Sequence, residues 1–417
     1  MVTTSMILVW SSYLFFLYLT VFWFLVFFEK GVKDKDGVLE KFPHVTVAVP
    51  AYNEEENVKE TVDSILNLDY PKDKLELIVV NDGSKDRTEE IVRRIINNKK
   101  DFDIKLLSQE NCGKGVAINK ALSVAKGEFF ATLDADSTIK EDALRKILPV
   151  FVDQEVAAVL PLMKVKNPKT ILQRLQRCEY LVNLFFKKLM SNLDCVHVAP
   201  GPFSTYRKSV IKKLGGFDRH NLTEDFEITL RLQKYHYKIV QLLSTDVYTK
   251  PPKTFIQFYK QRNRWYKGTI FNILRHKNML FNTKYGDFGL IQLPRVFLEG
   301  FIVVFAIFIL FLKTAVEPLI DGFRELLSIN FNIGSSIRNF TQTFSILDIN
   351  ITNFFYTAVT FAIIIFLLRC AYKYTREPVK KQDILAMVIY MIFYPLLISV
   401  LFLGVFWDII VNKIQKW

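Results

Sequence analysis

Cysteine is scarce: the 417 residues carry four, Cys112, Cys178, Cys195 and Cys370. They are widely spaced and form no Cys-x-x-Cys pair, which excludes a zinc ribbon and a disulfide framework. Reduced core cysteines suit a domain on the cytosolic side of a membrane. No RNA- or DNA-binding motif is present. The net charge of +13 therefore points away from nucleic acid and toward an anionic membrane surface and a negatively charged ligand. The first apolar run lacks a basic segment ahead of it and a small-residue cleavage site. It also exceeds the ~7–15 apolar residues of a signal peptide, so it reads as a retained anchor. Ionisable residues within the apolar runs are few, which leaves little from which to build a transport pathway.

Half of the residues are hydrophobic, 37 of them Phe, yet 23% are charged. A soluble domain joined to a membrane part satisfies both figures. Four apolar runs stand out, about Met6–Phe28, Phe288–Leu312, Phe354–Leu368 and Ile384–Trp407. Crossing a bilayer takes ~20 residues, and the third run reaches that if Ile349 to Asn353 joins it. Basic residues orient the runs. Lys30, Lys33, Lys35 and Lys41 follow the first run, and Arg369, Lys373, Arg376, Lys380 and Lys381 follow the third. Both stretches are expected in the cytosol, which makes four spans with both termini outside and residues 29–287 inside. Asn339-Phe-Thr341 and Asn350-Ile-Thr352 match the glycosylation sequon.

Between the first two runs, strand and helix alternate. Val45–Val49, Leu75–Val80, Ile104–Leu107 and Glu128–Leu133 read as strands. Helices are expected near Arg87–Asn97 and Lys114–Ala125, and Asn53 is expected to cap another, with Glu56 at the capping-box position. Such alternation predicts an α/β domain with a mostly parallel sheet, whose ligands bind beyond the carboxyl ends of the strands. Three polar clusters fall there: Pro50 to Glu55, Asn81 to Ser84, and Asp134-Ala-Asp136.

Each cluster offers chemistry. Asp134 and Asp136 supply carboxylate oxygens, which Mg²⁺ prefers, and a metal there can neutralise a diphosphate leaving group. Thr223-Glu-Asp225 precedes a helix and offers a carboxylate as general base. In Gln261-Arg-Asn-Arg-Trp265, Gln261, Arg264 and Trp265 share one helical face within about Lys253–Lys277. Arg can clamp phosphate oxygens, and Trp can stack on a sugar ring. The same helix reads equally as one lying on the membrane. Pro168 to Met190 is a second amphipathic stretch, with Lys169, Arg174, Arg177, Lys187 and Lys188 as its charges; it reads as another interfacial helix within the domain, with a core-packed helix as the alternative.

Taken in order, Pro50-Ala-Tyr-Asn-Glu54, Asn81-Asp-Gly-Ser84, Asp134-Ala-Asp136, Thr223-Glu-Asp225 and Gln261-Arg-Asn-Arg-Trp265 resemble glycosyltransferase family 2. More narrowly, they resemble the membrane synthases of hyaluronan, cellulose, chitin and poly-N-acetylglucosamine. Gly201 to Arg207, ahead of Gly215-Gly-Phe-Asp218, is similar to the acceptor-side loop of that group. The resemblance covers about residues 43–280. It implies a GT-A fold, Rossmann-like with a mostly parallel sheet, over 43–250, and an interfacial helix over 251–286. An all-α transmembrane region, residues 1–29 and 287–417, completes the chain. It implies an inverting single displacement that forms a β linkage from a UDP-sugar.

By position, Pro50, Tyr52, Glu54 and Asp82 would hold the nucleoside, assisted by Lys114. Asp134 and Asp136 would serve the ribose, the diphosphate and a metal, Mg²⁺ or Mn²⁺. Asp225 would be the base, with Glu224 beside it. Gln261, Arg264 and Trp265 would meet the diphosphate and the acceptor. The expected product is a membrane polysaccharide, with its translocation a further possibility. Transfer of one sugar to a lipid, a polyprenyl phosphate or a glycolipid, is the alternative. A non-catalytic scaffold leaves the sheet-edge acids unexplained.

Overall fold

Val45–Ala51 (β1) is apolar on both faces, as a strand covered by helices on both sides must be. Val45, Val47 and Val49 pack with Val58, Val62 and Ile65 of helix α2 (Val58–Leu66). Ala48 faces the other way, toward Ala117, Ile118 and Ala121 of α4 (Lys114–Val124). The computed structural model describes residues 14, 17–18, 20–29, 31–32, 34, 37, 39, 41–311, 316–328 and 351–411. The sequon residues Asn339 and Asn350, both expected outer termini and the start of the first apolar run lie outside the described residues.

Eight strands form one sheet in the order β3-β2-β1-β4-β7-β6-β8-β5. The strands are β2 (Leu75–Asp82), β3 (Asp103–Gln109), β4 (Phe129–Thr132), β5 (Thr138–Ile139), β6 (Val156–Val165), β7 (Ser204–Arg207) and β8 (Lys238–Thr249). The first four are parallel neighbours, as the alternation predicts. Past β4 the expected mostly parallel sheet becomes mixed, with β6 and β8 the one further parallel pair. β7 runs antiparallel to β4 and β6, and β5 runs antiparallel to β8. The reason is local. The Thr132 hydroxyl donates to the Gly201 carbonyl at 2.9 Å, and the Phe203 amide donates to the Thr132 carbonyl at 2.5 Å. The chain thus enters β7 at the carboxyl edge of β4 and has only the return direction left. The helices of the domain are completed by α3 (Thr88–Asn98), α5 (Ala143–Ile147), α6 (Ile171–Ser191), α7 (Lys208–Lys213), α8 (Glu224–Lys234) and α9 (Phe255–Arg275), with Thr20–Glu29 (α1) ahead of it.

Helix α6 opens with a complete capping box between Thr170 and Gln173. It lies between the sheet and the C-terminal helices. Cys178, Leu181, Phe185 and Leu189 share a cluster with Leu162, Leu243, Ala371 and Tyr372. Of its expected surface charges, Arg177, Lys187 and Lys188 are buried. Three of the four cysteines are buried as expected, but Cys112 is exposed in the loop before α4. The apolar runs of the C-terminal part are helical: α10 (Leu293–Phe311), α12 (Ile351–Tyr374) and α13 (Lys381–Ile410), with α11 (Glu317–Ser328) between the first two. Among the described residues one helix, α13, is long and apolar enough to cross a bilayer.

The sheet tolerates no side chain at Gly127, just before β4. A Cβ there would lie 2.4 Å from the Thr46 amide nitrogen and 2.7 Å from the Phe129 carbonyl oxygen. Both are backbone atoms, so no rotamer relieves the clash. Gly127→Ala should cost about 1–3 kcal/mol, the range of overpacked cores. Thermal melting in detergent reads this directly. Gly322→Ala, which meets nothing within 4 Å, is the control. Equal melting of Gly127→Ala and the parent would contradict the close approach.

Candidate active site

The parallel register brings the ends of β1, β2 and β4 to one edge, where Ala51 pairs with Asn81 and Ala48 with Thr132. The first two polar loops are laced together. The Asn53 amide donates to the Ser84 hydroxyl at 3.0 Å, and the Lys85 amide donates to the Asn53 side-chain oxygen at 2.9 Å. The Glu54 amide donates to the Thr88 hydroxyl at 2.8 Å. Asn53 therefore does not cap a helix as expected. It sits at φ 55° and holds the second loop, while α2 begins later, at Val58. Gly83 is required twice over: φ is 74°, and a Cβ would lie 2.7 Å from the Asn111 nitrogen.

Asp82 is buried, and its carboxylate is occupied by the next loop. It accepts from Gln109 Nε2 at 2.7 Å and from the Cys112 and Gly113 amides at 3.0 and 2.9 Å. Three of about four acceptor positions are thereby filled, so Asp82 shapes the pocket rim more than it faces a ligand. Tyr52 is exposed at that rim, and Pro50 is half-buried within β1. Glu54 accepts from Asn57 Nδ2 at 2.6 Å. Burial raises its carboxyl above the usual range, and Asp134 adds to this.

The third cluster meets the others through Lys114, the first residue of α4. Its ammonium lies 2.5 Å from Asp134 Oδ1 and 3.3 Å from Glu224 Oε1. Burial pulls this ammonium down, but Asp134, Glu224 and Asp225 outweigh it and hold it well above the usual lysine range. Gly201 lies against the pair; a Cβ there would fall 2.6 Å from Lys114 Nζ and 2.9 Å from Asp134 Oδ1. Asp136 accepts from the Ser137 hydroxyl at 2.9 Å. Burial, then Asp134 and Glu54, push its carboxyl up to about 6. Asp225, on the first turn of α8, is pushed up to about 6 by burial and then by Glu224, against Lys114 and Arg264.

Among the described residues, no group of three or more His, Cys, Asp or Glu could hold a metal unaided. The pair Asp134 and Asp136 fits a hard cation that brings its remaining ligands with it, as Mg²⁺ does with substrate phosphates. Their mutual repulsion is what such a cation relieves.

Helix α9 forms the opposite wall. Arg264 Nη1 donates to the Leu222 carbonyl at 3.1 Å, just before the Thr223-Glu-Asp225 turn. Asn272 Nδ2 donates to Thr223 Oγ1 at 3.0 Å, and Gly268 lets α9 rest on the Thr223 side chain. Gln261, Arg264 and Trp265 are all half-buried. The sequence reading passed over Arg262, which is 1% exposed. Its guanidinium pairs with Glu179 on α6, donates to Gln261 Oε1 at 2.8 Å and lies 4.3 Å from the Trp265 ring centroid. Phe258, Arg262 and Trp265 follow i, i+4, i+7 spacing, a signal that was available. Lys187 on α6, which the sequence offers only as one charge of an amphipathic stretch, comes within electrostatic reach of Asp225. Burial pushes its ammonium down to about 8, and only Asp225 opposes this.

The profile of glycosyl transferase family 2 matches residues 46–215. The "Probable glycosyltransferase YdaM" of Bacillus subtilis (strain 168) is 31% identical over 291 residues, 67% of this chain and 68% of that protein. A poly-beta-1,6-N-acetyl-D-glucosamine synthase of Staphylococcus epidermidis is 30% identical over 264 residues. That match spans 60% of this chain and 63% of the synthase, less than two thirds of its length. Among solved structures, a mannosyltransferase from Pyrobaculum calidifontis in complex with GDP-Man and Mn²⁺ superposes with a TM-score of 0.56. It is 22% identical, covering 78% of this chain and 91% of that one, a likeness of fold.

The Arg262–Glu179 pair gives a test of the wall. Removing one partner of a buried pair strands the other charge and typically costs ~3–5 kcal/mol. Arg262→Met alone should lower the melting temperature sharply. Arg262→Met with Glu179→Leu should recover most of the loss. A single variant as stable as the parent would show that the pair does not hold α9 on α6.

Proposed function

We propose that this chain, which belongs to glycosyltransferase family 2, builds a β-linked polysaccharide at a membrane from a nucleotide-sugar, a UDP-sugar. The chain is an enzyme, a glycosyltransferase. The observation that carries the finer reading is the bridge by Lys114: it joins the acid at the end of β4 to the acid at the start of α8. Donor-side and acceptor-side carboxylates thereby face one another across a single ammonium.

In the reaction, an acceptor hydroxyl loses its proton to a carboxylate oxygen of Asp225. The acceptor oxygen bonds to the anomeric carbon as the bond from that carbon to the diphosphate oxygen breaks on the opposite face. One inversion of an α-linked donor gives a β product. Asp134 and Asp136 would hold a divalent cation, Mg²⁺ or Mn²⁺, which neutralises charge on the leaving diphosphate. Lys114 adds fixed positive charge from the protein itself, in a largely buried pocket where it counts for more than in open solvent. Arg264 braces the turn that carries Asp225, and Trp265 offers a flat apolar face for the acceptor sugar. Four membrane-spanning runs and a cytosolic catalytic domain complete the proposal. Transfer of one sugar to a lipid remains the second reading, and product length separates the two. Incubation with radiolabelled UDP-sugars should give chains of many units; a single-sugar lipid product would replace the polymer reading.

Asp225→Asn should abolish transfer while leaving UDP binding nearly intact, because a positioned base is worth ~10²–10⁴ in rate. Near-parental turnover would remove Asp225 from the mechanism. The parent's pH profile follows from the same group. Its carboxyl is raised to about 6 and must be ionised to accept a proton. Transfer should be flat above that pH and fall about tenfold per pH unit below it.

Asp136→Ala should weaken donor binding and metal-dependent activity together, since one ion would bridge carboxylate and diphosphate. Full activity of the parent in excess chelator would rule out that role.

A further inference from the structure

One cavity, of about 520 Å³, contains none of the acids described above. It lies where the end of β6, the start of α6 and the turn between α12 and α13 meet. Its lining includes Lys166, Lys169, Arg174, Arg177 and Lys380, against Glu377 alone as an acid. Several of these charges are neutralised. Arg174 and Arg177 share the buried Asp383 at 3.0 and 2.8 Å, and Lys166 reaches Glu60 at 2.6 Å. Lys169 and Lys380 are exposed, and their ammonium groups have no ion-pair partner among the described residues. The surplus is positive.

Two further features point to an anion. Helix α6 starts at Ile171, beside the lining residues Pro168 and Lys169, and α13 starts at Lys381, between the lining residues Lys380 and Gln382. The Thr170–Gln173 capping box and the Asp383 carboxylate, which accepts from the Lys380 amide, already occupy part of these two helix ends, so what the ends add to the basic lining is their positive dipoles. The rim is apolar: Ile171, Val379, Ile384, Leu385 and Val388 are all exposed, by 44–63%. Three of these lie on α13, the helix long and apolar enough to cross a bilayer. A soluble phosphate compound needs the charge and not the rim. An amphiphile uses both.

We propose that this cavity seats the phosphate headgroup of an anionic phospholipid, its acyl chains lying along the exposed apolar face at the start of α13. The proposal rests on the membrane association of the chain and not on which sugar it transfers. The headgroup supplies acceptor oxygens to Lys169 and Lys380. It binds at the turn that joins the C-terminal helices to the sheet, so the lipid fixes the seating of the catalytic domain on the membrane.

The test uses the full chain in nanodiscs of phosphatidylcholine with and without phosphatidylglycerol. Native mass spectrometry reads the retained lipid. The parent should retain phosphatidylglycerol in preference to phosphatidylcholine. Lys169→Gln with Lys380→Gln should weaken that retention about 30-fold, the effect of two basic residues near an anionic surface. Lys277→Gln with Lys284→Gln, on the 3₁₀ turns after α9, should not. Equal weakening by both pairs would reduce the effect to general charge attraction and overturn the site. Retention unchanged in the first pair would overturn it too. Glycerol 3-phosphate binding as tightly as the lipid would assign the cavity to a soluble phosphate compound and overturn the lipid. Donor hydrolysis, measured alongside, reports on the catalytic reading separately.

Discussion

The arrangement depends on one buried ammonium. Glu54, Asp134, Asp136, Glu224 and Asp225 converge on one edge of the sheet from three places, the ends of β1 and β4 and the start of α8. Five carboxylates gathered without a counter-charge would hold protons or push the elements apart. Lys114 makes the gathering possible because α4 starts at the foot of the same edge. Its ammonium reaches Asp134 and Glu224 at once. It does not neutralise the whole set. Asp136 and Asp225 keep carboxyls raised to about 6, each with burial as the main cause. What remains is a site short of positive charge, on one side where a diphosphate and its cation would arrive and on the other where an acceptor would give up a proton.

The second constraint is the antiparallel return of β7. A parallel strand beside β4 would place its own carboxyl end at the site and its entering loop at the far edge. The return instead lays Pro200 to Phe203 across the end of β4, and Gly201 packs against Lys114 and Asp134. A Cβ there would press on the ion pair, so Lys114 or Asp134 would have to shift to admit one. Helix α9 then closes the other side. Its contact is made by the smallest residue, Gly268, against the Thr223 side chain, and Asn272 and Arg264 bond to either end of the turn before Asp225.

What the sequence disclosed follows from range. β1 to β4 were legible because each is a short apolar run bounded by turn residues, and parallel neighbours of this kind carry a strong local pattern. The acid clusters were legible because they sit at strand ends. β6, β7 and β8 were not foreseen. β7 has four residues and gains its place only by pairing with β4, a contact the local pattern does not encode. Asn53 looked like a cap because its neighbours had capping spacing; the actual partner, Ser84, is 31 positions away. Arg262 was passed over between Gln261 and Arg264, on a helix that the charges allow to lie on the membrane. Its burial arises from Glu179, on a helix 83 residues earlier. Charges are read as exposed until a distant partner is known, and this is where local reasoning fails.

The same logic governs how the catalytic domain meets the C-terminal helices. Arg177 and Asp383 are each buried, and Glu377 also pairs with Lys164 at 3.1 Å. Buried ion pairs add little net stability, because desolvation offsets most of the attraction. An apolar contact of equal area would hold the two parts together as firmly but would let them slide. Away from water, each of these charges has one acceptable partner, so sliding by a single helical turn strands several ions at once. The pairs therefore act on alignment more than on affinity. The acid edge, α9 and the C-terminal helices keep one relative position because the alternatives leave charges unmatched.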